Sequence, residues 1–157
     1  MLIGFKRQFA PFVIDGSKRH TIRAERKDDK VPWIGEPLHL YADPRQKTME
    51  LLGRHPCTKA ESITILSHFN PSVPILVSIA GVPLVDDEAA AFLWRDGFRE
   101  WMKQSIPEGH LIALTAANYF WLKRLKKAGG RWDGHLIHWD YDTAAPAPNK
   151  RGEKRGF

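Results

Sequence analysis

The chain is written in short alternating or β-branched runs cut apart by glycine and proline, and this punctuation limits its fold more than any other feature. The run LIGF at 2–5 predicts a strand. HTIRAER at 20–26 alternates, with Ile22 and Ala24 on one face and Thr21 and Arg23 on the other. PLHLYA at 37–42 places Leu38 and Leu40 inward and His39 and Tyr41 outward. SITILS, PILVSIAGVPL and HLIHWDYD predict further strands, the last ending near residue 142. Helical patterns are fewer. Phe9, Phe12 and Val13 have helical spacing, with Pro11 in the first turn and Gly16 as the stop. The acids of DDEAAAFLWRDGF open a second helix, and Phe98, Trp101 and Met102 predict a short amphipathic turn. Residues 115–128 give the clearest helix, capped by Thr115 and ended by Gly129 and Gly130. Ala117, Trp121, Leu125 and Ala128 line one side and Lys123, Arg124, Lys126 and Lys127 another. Short strands, few helices and one core predict an α+β fold: a small barrel or strongly bent sheet with peripheral helices. The regular alternation of a doubly wound sheet is missing.

At 157 residues the chain suffices for one domain with a real core. Its net charge of +6 is uneven. Residues 1–30 hold eight Lys/Arg against four Asp/Glu, and 149–157 hold four against one, so the middle is nearly neutral. A localised basic excess suits a polyanion or simply a soluble basic surface, and charge alone leaves both open. From Thr143 to Phe157 there is no apolar period, which predicts a disordered basic tail after a domain at 1–142. The lone Cys57 forms no internal disulfide and reads as a packed strand residue. The apolar runs are too short to cross a membrane, and the N-terminus turns charged at Lys6, so the expected location is the cytoplasm. His135 and His138, three apart on a strand, point to opposite faces, and no metal or other cofactor is expected. Phosphate-binding glycine loops are absent.

The stretch GSKRHTIR at 16–23 gathers chemistry in eight residues. Gly16 ends a helix, Lys18 lies in the turn, and Thr21 and Arg23 share a face of the next strand. Arginine offers a fork of donors, lysine a mobile point charge and threonine a hydroxyl that donates and accepts. These groups suffice for anion binding. A threonine nucleophile needs a base as well, and lysine serves only where burial or neighbours lower its proton affinity. The residues alone leave three readings open: a solvated turn, an anion site and a catalytic site.

The spacing G-x-K-x-x-T-x-R, filled by Gly16, Lys18, Thr21 and Arg23, resembles the signature of ASCH domains, which are PUA-like β-barrels associated with RNA. The likeness runs on through LHLYADPRQK, PCTKAESITI, RDGF at 95–98 and the closing HLIHW, roughly two-thirds of the chain. It implies a small PUA-like barrel and two functions. One is binding of single-stranded RNA, with metal-independent cleavage in some branches. Tyr41 would then stack on a base or merely pack over the barrel mouth, and Arg23, Arg45 and Lys47 would hold phosphates. The alternative is an amidohydrolase that removes acyl groups from N4-acylcytidine. There the resemblance makes Thr21 the nucleophile and Lys18 the base, and Asp96 stands where the family pattern has glutamate. The RNA-directed role ranks first on the sequence, because Asp96 is one methylene short of that pattern.

Overall fold

The computed structural model describes residues 1–68, 75–98 and 111–140. In chain order it contains β1 (Leu2–Phe5), a 3-10 turn (Arg7–Phe9), α1 (Ala10–Ile14), β2 (His20–Ala24), β3 (Pro37–Ala42) and β4 (Glu50–Leu66). There follow β5 (Leu76–Ile79), β6 (Val82–Pro83), α2 (Asp86–Arg95), α3 (Leu111–Lys127) and β7 (Arg131–Trp139). The seven strands form one mixed sheet. Parallel β1 lies beside β3, and β3 pairs antiparallel with the first half of β4. The second half of β4 pairs with β7 and, at its end, with β5. β2 completes the path along β7, where Thr21 faces Ile137 and His20 faces His138.

This is the α+β architecture the sequence predicts, with one correction. Among the described residues no ladder joins β1 to β2, so the strands do not close into a barrel. The Arg23 side chain spans that seam instead, its Nη2 donating to the Gly4 carbonyl.

Alternation holds where it is strongest: Leu38, Leu40 and Ala42 of β3 and Ile63 and Ile65 of β4 are buried. They pack with Ile3 and Phe5 of β1, Leu136 and Trp139 of β7, and Cys57, which is a packed strand residue as expected. Phe92 and Leu93 of α2 and Trp121 and Leu125 of α3 cover this core.

Two helix details differ from expectation. α3 begins at Leu111, which puts Thr115 inside the helix rather than at its cap, and Ala128 lies past its end and is exposed. The turn expected around Trp101 and Met102 and the tail from Thr143 lie outside the described residues. Among the described residues no helix is long and apolar enough to cross a membrane.

Candidate functional site

The site is built by two chain reversals that meet. The first follows α1. Asp15 N–H donates to the Pro11 carbonyl and Gly16 N–H to that of Val13, and Gly16 takes a left-handed φ of 77°. Lys18 N–H then reaches back to the Phe12 carbonyl at 2.9 Å, which turns the side chain inward before β2 begins. The second reversal ends α2. Gly97 N–H donates to the Trp94 carbonyl and Phe98 N–H to that of Leu93, with Gly97 at φ 101°. These bonds form a Schellman stop with Asp96 at the C-cap.

Lys18 enters this stop. Its Nζ donates to the Asp96 carbonyl at 2.5 Å and to the Asp96 carboxylate. A cation is favoured at a helix C-terminus, whereas the Asp96 carboxylate there needs a counter-charge. Lys18 is only 2% exposed and Asp96 6%, so the solvated turn, one of the three readings the sequence leaves open, is excluded and the lysine is a buried ion-pair partner. Its ammonium also lies 5.4 Å from the Phe9 ring centre and 5.9 Å from that of Phe5. Burial pushes the Asp96 carboxyl up from the usual carboxylate range, against the opposing charges of Lys18 and Arg23.

Lys18, Thr21, Arg23 and Asp96 all line one cavity of about 300 Å³, at the small end of the range for ligand pockets. Thr21 is 5% exposed and faces this interior rather than open solvent. Arg23 stands in the wall with its guanidinium 5.1 Å from the Phe5 ring centre, and its Nε is buried without a hydrogen-bond partner. Burial lowers its pKa to about 10, with Asp96 opposing. Aromatic rings make much of the remaining wall: Phe5, Phe9, Phe98, Phe120, Trp121 and Trp132. The exposed cations Lys6 and Arg124 lie over the Phe120 ring at 5.1 and 4.6 Å.

The structure thus brings together four of the seven residues singled out in the sequence. Tyr41, Arg45 and Lys47 are not among the cavity's lining residues. Tyr41 is half-buried on β3, opposite Gly4 and Leu51. Arg45 and Lys47 are exposed on the following turn, which Arg7 ties down through Asp43, Glu50 and the Thr48 carbonyl. The aromatic wall was not foreseen as a pocket, because Trp121 reads from its helical spacing as a core residue. It is buried and also lines the cavity.

No group of three or more His, Cys, Asp or Glu side chains is arranged to hold a metal ion among the described residues. Compared with family models, curated proteins and solved structures, the chain matches none of them.

Proposed function

We propose that this cavity is the active site of a small-molecule amidohydrolase acting on an acylated nucleobase of the N4-acylcytidine type. The observation that carries the reading is the solvent-excluded Lys18–Asp96 contact beside Thr21 in a cavity of this size. A lysine that only attracts phosphate works best in solvent, where it meets the polymer, whereas a buried lysine held by a carboxylate suits proton transfer. The resemblance to ASCH domains supports the same assignment, and the shorter Asp96 reaches Lys18 without the family's extra methylene. Aromatic walls suit the faces of a flat heterocycle.

Thr21 Oγ1 attacks the acyl carbonyl, and Lys18 manages the proton. The ammonium proton passes to Asp96, leaving an amine that takes the Thr21 proton. Lys18 next protonates the departing nitrogen, and the ion pair re-forms. Water then releases the acyl group from Thr21. The test is incubation of the purified protein with N4-acetylcytidine, read as release of cytidine and acetate. Thr21→Ala is expected to lower the rate about 10³-fold or more. An inactive wild type, or full activity in Thr21→Ala, overturns the proposal.

A second reading, binding and metal-independent cleavage of single-stranded RNA, draws on a different observation. Arg124, Lys126 and Lys127 crowd the last turn of α3, beside the Lys6 and Arg124 cations over Phe120. It requires oligonucleotide affinity that falls steeply with salt and drops in Arg124→Ala and Lys47→Ala. No binding at low salt excludes it.

A further inference from the structure

His20 lies between Lys18 and Thr21 in the sequence, yet the reaction above gives it no part. Its ring is buried and lies flat on Phe92, with centroids 4.9 Å apart and planes 10° apart, so its orientation is set. In that orientation Nε2 stands 3.5 Å from Asp96 Oδ1 and has no hydrogen-bond partner. A ring N–H facing a carboxylate is drawn in to about 2.7–3.2 Å. At 3.5 Å Nε2 and the carboxylate share no hydrogen bond, which leaves Nε2 open to accept from a protonated Asp96 when the ring carries its own proton on Nδ1.

We propose that His20 is a positioning residue for the Lys18–Asp96 pair: its Nε2 accepts the Asp96 O–H once the carboxyl has taken the Lys18 proton. That bond turns the acid proton away from Lys18 and frees the amine lone pair to face Thr21. The proton stays on Asp96, and no other bond changes. The role rests on the proton route proposed above, but its central claim concerns the resting protein.

The surroundings keep His20 from taking the proton outright. Lys18 precedes β2, His138 faces it from β7 and Arg95 approaches from the end of α2, while Asp96 is its acidic neighbour. Burial first, then the Lys18, His138 and Arg95 charges, lowers its pKa to about 2, so the ring is neutral across the working range. Around Asp96 the charged groups are Lys18 and Arg23. His138 is itself engaged, with Nε2 3.1 Å from Glu61.

Nitrogen-15 NMR of the wild-type chain at pH 7 tests the claim without substrate. The Nδ1–H tautomer of His20 is expected, and an Nε2–H tautomer or an imidazolium overturns the proposal. Carbon-13 titration of the Asp96 carboxyl gives a second measure. In His20→Phe, which keeps a ring against Phe92, the Asp96 midpoint should fall by about one pH unit, and His20→Gln, which restores an acceptor, should recover it. An unchanged or higher midpoint in His20→Phe also overturns it. With N4-acetylcytidine, His20→Phe should lower kcat and spare KM, and His20→Gln should regain part of the loss. If the wild type is inert toward that substrate, the proposed reaction and the positioning role fail together, while the tautomer and the Asp96 titration still decide whether His20 Nε2 accepts from the Asp96 carboxyl.

Discussion

Lys18 and Asp96 are each tolerated in the interior because the other is there. Removing one partner of a buried pair strands a charge, whereas replacing both with apolar groups of similar volume is often neutral or stabilising. Lys18→Met should therefore destabilise the fold by about 3–5 kcal/mol in urea unfolding, and Lys18→Met with Asp96→Leu should recover most of that loss. Equal destabilisation in the single and double variants would show that the pair contributes nothing through its mutual contact. The glycine stop, the turn lysine and the alternating strand place Lys18, Thr21 and Arg23 on neighbouring positions by local pattern alone. Asp96 was legible only through the family resemblance, because 78 residues separate it from Lys18 and no local pattern records such a contact. His20 was hidden for a different reason. Alternation along β2 assigns it to the face opposite Thr21, and only the arrival of the α2 terminus brings Asp96 Oδ1 to it.

At the level of elements, β2 carries the site and β7 holds β2 in place. The two strands come close at Gly134, where an added Cβ would lie 2.2 Å from the Arg23 carbonyl oxygen and 2.5 Å from the Trp132 ring. Backbone cannot yield there as a flexible side chain would, so Gly134→Ala must push β2 off its partner. Gly129 offers the contrast: a Cβ there meets nothing within 4 Å, and only its φ of 72° opposes alanine. Gly129→Ala is expected to cost about 1–2 kcal/mol. Gly134→Ala should cost about 3 kcal/mol or more and, if the proposed function holds, lower the rate with N4-acetylcytidine. A thermal shift no larger for Gly134→Ala than for Gly129→Ala would contradict this. Other elements show how far local pattern reaches. The stretch of β4 before Cys57 is not legible locally because Gly53 and Pro56 interrupt ELLGRHP, and both residues normally break strands. Its pairing with β3 supplies what the local sequence lacks. The start of α3 is hidden for the converse reason. Threonine is tolerated inside an alanine-rich helix, so Thr115 marks no boundary.

For the molecule as a whole, the missing ladder between β1 and β2 leaves a seam that one arginine spans, and a second cavity of about 390 Å³ shares Gly4, Arg23 and Ala24 with the first. Strand existence was legible from period-two alternation, but closure depends on contacts between distant segments, and that part of the expectation did not hold. Non-local burial also sets how stability responds to pH. The folded pKa of His20 is about 2 against 6.5 for a free histidine, so between those values the unfolded chain binds a proton that the folded chain refuses. The His20 contribution is complete above pH 6.5 and is lost as pH falls toward 2, with a slope of up to about 1.4 kcal/mol per pH unit. His39 and His138 are also lowered, chiefly by burial, and act in the same direction, though both are more accessible. Asp96 acts in the opposite direction, because a raised carboxyl favours the folded state in acid and loses that advantage as pH rises through its folded value. The lowered carboxyls of Glu36, Asp43, Glu61 and Asp133 lose their contribution only below their ordinary range, and their solvent exposure keeps it small. Between about pH 4.5 and 6.5 the lowered histidines weaken the fold on acidification while Asp96 opposes them, so the His20 share is read from the difference between wild type and His20→Phe. In His20→Phe one protonation site is gone, and acidification should lower its melting temperature visibly less than that of wild type. Melting curves that drop in parallel for wild type and His20→Phe would place the acid sensitivity elsewhere, whereas a flattened curve would trace it to the ring stacked on Phe92.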